Sequence, residues 1–241
     1  MKVELFIPCF VDQLYPEVGV AMAKVLKKYV EVGYNPDQTC CGQLAFNSGY
    51  WDHAKSVGEK FIRTFANDLG DKLIVVPSAS CASMVKKYYH ELFYNTALHN
   101  EYQLIQKRMF EFTDFLVNVL EIDDVGATFK EKITYHDSCA AVREYGLKDE
   151  PRNLLKWVKG LEICEMKESD VCCGFGGTFS IKNEPISTAM AQQKVKNALQ
   201  TGASYVTSTE ASCLMHLEGY IKKHNLNIKT IHIANILASG W

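Results

Sequence analysis

Two places where adjacent cysteines run into a glycine constrain this chain more than anything else in it: Cys40-Cys41-Gly42, and Cys172-Cys173-Gly174 followed by Phe175-Gly176-Gly177-Thr178-Phe179-Ser180. Each pair has one cysteine well upstream and one well downstream, Cys9 and Cys81 around the first, Cys139 and Cys213 around the second. Forty positions separate Cys41 from Cys81 and forty separate Cys173 from Cys213, while Cys9 to Cys40 spans 31 and Cys139 to Cys172 spans 33. Gly42, Ala79, Ser80 and Tyr88 also recur 132 positions later as Gly174, Ala211, Ser212 and Tyr220. This is an internal repeat, and eight of the nine cysteines fall into its two four-thiol sets.

A chain of 241 residues can bury a substantial core as one large α/β domain or two smaller ones, and the repeat favours two halves. We divide it into a first repeat over 1–122, a linker over 123–132 and a second repeat over 133–241. With 26 basic against 28 acidic residues and no dense basic run, nothing in the charge recruits nucleic acid or an anionic membrane. The opening Met1-Lys2-Val3-Glu4 does not read as a signal peptide, and the longest apolar runs, such as Leu73–Val76, are far too short to span a bilayer. The expected location is the cytoplasm, where thiols stay reduced and a cysteine set binds metal or does chemistry rather than forming disulfides.

Hydrophobic periodicity predicts strands alternating with helices. Residues 2–7 read as a strand delivering Cys9. A helix follows with Pro16 in its first turn and Val18, Met22, Val25, Leu26 and Tyr29 on one face, broken at Gly33-Tyr34-Asn35-Pro36. The stretch 49–68 reads as a helix burying Trp51, Ala54, Val57, Phe61 and Phe65, and Leu73–Val76 as a buried parallel strand ending at Pro77. Cys81 opens a further helix; 95–106 is irregular; 110–116 is a strand or a strand-to-helix joint. The order then repeats: a strand at 133–136, a helix at 151–158, and a helix at 185–199 with Ile186, Met190, Val195 and Leu199 apolar. A strand at 204–207, a helix opened by Cys213, and an echo of 110–116 at 231–237 complete it. The fold class expected is α/β: two repeated units with parallel sheets, related by a pseudo-two-fold. Strand-to-helix loops of such sheets open at their carboxyl edge, so each cysteine set can converge there.

Four thiolates in one pocket suit a zinc ion or an iron–sulfur cluster. Structural zinc usually draws on C-x(2–4)-C knuckles, and this sequence has no C-x-x-C. Adjacent cysteines fit a multi-iron cluster better than one small tetrahedral ion, although zinc stays open at one of the two sites. Gly174, Gly176 and Gly177 would let backbone N–H groups approach sulfur, and Cys81 and Cys213 in first helical turns would gain thiolate character. No G-x-G-x-x-G follows a strand, so hydride chemistry on a dinucleotide is not expected of this chain.

The repeated cysteine, Cys-Cys-Gly, cysteine pattern resembles the cysteine-rich CCG-domain proteins, which include the CCG-bearing component of heterodisulfide reductase and the iron–sulfur subunit of glycolate oxidase. Cys172–Phe179, the two-repeat plan and the length make the chain most similar to the lactate-utilization branch of that family. The resemblance covers essentially the whole chain. It implies a cytoplasmic iron–sulfur electron-transfer subunit, with a 4Fe–4S cluster or a variant of it at Cys9, Cys40, Cys41 and Cys81 and at Cys139, Cys172, Cys173 and Cys213. It further implies partner iron–sulfur subunits and a small 2-hydroxy acid, L-lactate, oxidised to pyruvate. The rivals are a heterodisulfide reductase-like or glycolate oxidase subunit and, in another class, a zinc-stabilised scaffold without a redox role. One departure matters: where the heterodisulfide reductase pattern ends in C-x-x-C, giving five cysteines, Ser78 and Glu210 stand three before Cys81 and Cys213. That leaves an ordinary cluster, one with an oxygen ligand from Ser78 or Glu210, or one degenerate site.

Beside the thiols, His136 could move a proton and Arg143 could grip a carboxylate; the alternatives are a strand-end histidine and a surface ion pair. His216 is expected to be a satisfied histidine and Cys164 a structural cysteine.

Overall fold

The computed structural model describes residues 1–67 and 69–240; Asp68, the expected end of the 49–68 helix, and Trp241 lie outside the described residues. The first half runs β1 (Lys2–Leu5), α1 (Cys9–Leu14), α2 (Pro16–Leu26), β2 (Glu31–Tyr34), α3 (Gln43–Asn47), α4 (Trp51–Ala66), β3 (Leu73–Val76) and α5 (Ala79–Ser83). It continues through α6 (Tyr89–Phe93), α7 (His99–Arg108), β4 (Met109–Glu111) and α8 (Phe112–Asp114). The second half runs β5 (Lys132–Tyr135), α9 (Glu150–Lys156), β6 (Glu162–Ile163), α10 (Phe179–Lys182), α11 (Glu184–Gln200), β7 (Tyr205–Ser208), α12 (Ala211–Lys223), β8 (Lys229–His232) and α13 (Ile233–Leu237). π-helical segments at 84–88, 115–119 and 140–145 widen helices locally.

Each half builds a four-stranded, all-parallel sheet, in the orders β2-β1-β3-β4 and β6-β5-β7-β8. The registers repeat as the cysteines do: Val3 lies opposite Leu73 and Ile133 opposite Tyr205. The two α/β units expected from the cysteine periodicity are therefore present.

The units share one core. Val3, Val18, Met22 and Leu26 of the first half pack in the same cluster as Ile133, Leu154, Ile233 and Ile236 of the second. Residues 123–132 contribute to it: Val125 and Ala127 are buried in that cluster, and Thr128 bridges to Lys159.

Several local expectations are corrected. Glu31–Tyr34 pairs in parallel with β1, although its glycine reads as a breaker. Gly33 belongs in this strand because a Cβ there would lie 2.6 Å from Glu4 Oε2. The irregular 95–106 stretch contains most of α7, which buries only Tyr102 and Ile105 and so carries a weak stripe. The two residues of β6 are too few to show periodicity. In α4, Trp51 is 63% exposed and Gly58 and Ile62 are buried in its stead; in α11, Ile186 and Leu199 face solvent. The buried face of α11 is Ser187, Ala191, Lys194, Val195, Asn197 and Ala198, a partly polar face because it backs the loops that carry the second cysteine pair. No described helix is long and apolar enough to cross a membrane.

Candidate metal centre

Every cysteine of the two sets follows a strand at the carboxyl edge of its sheet. Cys9 and Cys81 come after β1 and β3, Cys139 and Cys213 after β5 and β7, and the pairs after the outer strands β2 and β6. The two edges face each other, so all eight thiols line one cleft of about 130 Å³, also lined by Phe10, Leu44, Phe175, Gly176, Gly177 and Glu210. All nine cysteines are free thiols.

Within each set the sulfurs form a chain. Cys9 Sγ is 3.6 Å from Cys40 Sγ, and Cys41 hydrogen-bonds on to Cys81; Cys139 Sγ is 4.0 Å from Cys172 Sγ, and Cys173 hydrogen-bonds on to Cys213. Gly42 and Gly174 adopt left-handed φ of 84° and 94°, which turns their N–H groups back onto Cys40 Sγ and Cys172 Sγ, each at 3.4 Å. A Cβ on Gly174 would meet Ser187 O at 2.7 Å. That turn is buttressed from behind: Ser187 Oγ donates to Gly174 O at 2.8 Å and lies 3.1 Å from His216 Nε2. His216 is thus a satisfied histidine behind the turn.

Gly176 and Gly177 line the cleft at left-handed φ of 52° and 63°. A Cβ on Gly177 would lie 2.7 Å from Leu44 Cδ2 of the other half, and nearby Phe10 and Phe175 pack edge to face at 5.5 Å.

The electrostatics favour a thiolate at the first cysteine of each adjacent pair and, in the second set, at Cys213 as well. Cys40 is pulled down to about 3 by hydrogen bonds from Cys41 and Cys9, with help from the Gly42 N–H and against the cost of burial. Cys172 is likewise held at about 2 by Cys139 and Cys173 and by the Gly174 N–H. The donors move the other way: Cys9 and Cys139 are raised, chiefly by those hydrogen bonds and then by burial. Cys213 is lowered to about 6, first by Cys173 and also by His136. Such quartets, with sulfur lone pairs converging and N–H groups aimed at sulfur, have the donor chemistry a metal ion or an iron–sulfur cluster needs.

Ser78 and Glu210 turn toward each other. Glu210 Oε1 accepts from Ser78 Oγ at 2.9 Å and Ser80 Oγ at 3.0 Å, and Oε2 accepts from the Ser80 N–H at 2.9 Å. Burial, and then Cys213, push this carboxyl up to about 7. Ser78 Oγ also caps α5 by accepting from the Cys81 N–H.

His136 is fully buried, and its ring nitrogen lies with Cys173 Sγ and Cys213 Sγ in a group whose members are all within 4.8 Å of one another. Arg143 is exposed, outside the residues lining the cleft, with Nη2 3.5 Å from the Asp170 carbonyl. Cys164 is also outside the cleft, donating to Glu162 Oε1 at 3.3 Å. Sequence reasoning passed over Arg152, which holds Asp137, two residues before Cys139, in a two-pronged contact at 2.7 and 2.8 Å and also pairs with Glu165. An arginine in a short amphipathic helix carries no signal for such a role.

Comparison with known proteins agrees with this geometry. A family model described as a cysteine-rich domain, CCG, matches residues 3–86 and again 133–218. Lactate utilization protein A 2 of Bacillus cereus (strain AH820) is 40% identical over 247 aligned residues, covering 100% of this chain and 99% of its own. Lactate utilization protein A of Geobacillus kaustophilus (strain HTA426) is 40% identical over 238, covering 98% of each. Among solved structures, a hypothetical protein from Helicobacter pylori superposes with a TM-score of 0.60 at 15% identity, over 98% of this chain and 48% of that one, a likeness of fold.

Proposed function

The chain belongs to the cysteine-rich CCG-domain family and, within it, to the lactate utilization protein A family, and on that premise we propose that it is an iron–sulfur electron-transfer subunit serving the oxidation of L-lactate to pyruvate with partner subunits. The observation that carries this reading is the convergence of two thiol quartets on one cleft, each with a lowered thiolate and a glycine N–H aimed at it.

In this reading Cys9, Cys40, Cys41 and Cys81 hold one group and Cys139, Cys172, Cys173 and Cys213 the other. A bound iron–sulfur cluster accepts and passes on single electrons. The protein's part is to keep the ligands converged, to lower the negative charge on sulfur through the Gly42 and Gly174 N–H groups, and to exclude water with Phe10 and Phe175. Lactate oxidation releases two electrons and two protons, and the closeness of the two quartets suits the carriage of electrons one at a time. Glu210, between the halves and raised to about 7, can hold a proton near the second quartet.

The test is anaerobic isolation followed by iron and acid-labile sulfide counts, and lactate-dependent reduction in the presence of the partner subunits. Iron and sulfide present with lactate-dependent bleaching of the visible band supports the reading. Near-stoichiometric zinc without sulfide overturns it in favour of a scaffold.

A further inference from the structure

We propose that His136 Nε2 is a ligand of the metal group at Cys139, Cys172, Cys173 and Cys213, so that the two halves hold chemically different centres; this rests on the iron–sulfur reading above. Three observations converge on it. His136 is fully buried, and Nε2 meets no nitrogen or oxygen partner although it is closed off from solvent; the side chain that the ring meets is the Cys213 thiol. A buried orphan nitrogen is costly, and proteins keep one where something else takes it.

The other ring nitrogen is occupied. Nδ1 lies 3.2 Å from the Ser169 carbonyl, which can only accept, so Nδ1 carries a hydrogen, and in the neutral form of the ring the lone pair is at Nε2. The same carbonyl accepts from Lys194 Nζ at 3.1 Å, which fixes it in place. An imidazole held by one nitrogen on a backbone carbonyl is the arrangement that orients metal-binding histidines. The ring stands beside two sulfurs, since one of its nitrogens, Cys173 Sγ and Cys213 Sγ all lie within 4.8 Å of one another, and Nδ1 is already taken by the Ser169 carbonyl.

The first half lacks this feature. The His136 N–H donates to Thr207 O at 2.8 Å, and at the same place in the repeat the Phe6 N–H donates to Val75 O at 3.0 Å. Phe6 precedes Cys9 by three residues as His136 precedes Cys139, but its ring is fully buried against Phe61 and Phe65, at 4.9 and 5.8 Å. One quartet has a nitrogen donor beside it and the other an apolar wall. A neutral nitrogen in place of, or beside, a thiolate raises the potential of a cluster, so the second centre should accept electrons at a higher potential than the first.

The experiment is nitrogen electron–nuclear double resonance on the anaerobically isolated full chain, labelled with 15N-histidine and poised to make its clusters paramagnetic. Iron and sulfide are counted on the same sample. A directly bonded 15N coupling is expected, lost in His136→Phe together with a downward shift of one of two midpoint potentials. A cluster-bearing chain with no histidine coupling overturns the ligand assignment alone; a chain without iron and sulfide overturns the iron–sulfur reading beneath it. Should His136→Phe fail to fold, His136→Gln in the labelled chain carries the same test, loss of the coupling supporting the assignment and its persistence overturning it, since the chain has seven histidines.

Discussion

Ser78 and Glu210 occupy the same place in the two repeats, 132 positions apart, and are hydrogen-bonded to each other at 2.9 Å. Each stands three residues before the last cysteine of its set, so the contact ties the two thiol quartets together through their own loops. Glu210 also takes donors from Ser80, and Ser78 caps the helix that begins beside Cys81.

Ser78→Ala removes a donor to a buried carboxylate and a helix cap in one step. The expected loss is about 1–3 kcal/mol of unfolding free energy. Glu210→Gln should also destabilise, because its single carbonyl oxygen cannot serve donors that now reach both carboxylate oxygens. Denaturant titration of the isolated chain checks this; a change below about 0.5 kcal/mol for Ser78→Ala would show that the contact contributes little.

Cys173→Ala should cost the second centre its metal, whereas Cys164→Ala should leave metal content at the level of the unaltered chain. Cys173 is buried in the cleft and hydrogen-bonded to Cys172 and Cys213, while Cys164 donates to Glu162 on the edge strand. Iron counts after anaerobic isolation distinguish them, and equal loss from both would remove the distinction between cleft and edge thiols.

Gly174→Ala should be severe and Gly219→Ala benign. A Cβ at 174 would lie 2.7 Å from Ser187 O and 2.8 Å from Met190 Cβ at a φ of +94°, and Ser187 belongs to the buried face of α11. We expect at least about 2 kcal/mol lost and depletion of metal at the second quartet. Gly219 is exposed in mid-helix with open space around it, so alanine there should stabilise by roughly 0.5–1 kcal/mol. Thermal unfolding of the two variants side by side is the measurement.

The pH dependence of stability should carry the mark of Glu111. Burial raises its carboxyl from 4.5 to about 8, against the opposing hydrogen bonds from Thr113 and Asp114. The folded chain therefore keeps a proton that the unfolded chain releases, and stability falls as pH rises through that window, by about 1.4 kcal/mol per pH unit while the difference persists. Glu111→Gln abolishes this contribution. Relative to the unaltered chain the variant should gain stability steadily from about pH 5 to about pH 8 and gain no more above it, and a constant difference across that range would rule Glu111 out.

Much of the centre was legible in the residues. The cysteine repeat, the glycines beside it and the strand-helix alternation are local patterns, and they placed six of the eight strands among the described residues. The two strands missed, β2 and β6, are outer ones. β2 contains a glycine whose reason is the Glu4 carboxylate on its neighbour, and β6 has only two residues. Exposed Trp51 and buried Lys194 defeated periodicity for a similar reason, since which face of a helix is buried depends on what lies beside it.

By itself, then, the amino-acid order determined the donor set, its duplication and the α/β alternation that brings each quartet to a sheet edge. All of these follow from residue type and from spacing along the chain. Only the tertiary structure decided that both edges open onto one cleft, that Ser78 meets Glu210, and that His136 faces two sulfurs where Phe6 faces two rings. Those are contacts across elements, set by how two sheets bury a common core, and no periodicity within either repeat encodes which side chain the other will present.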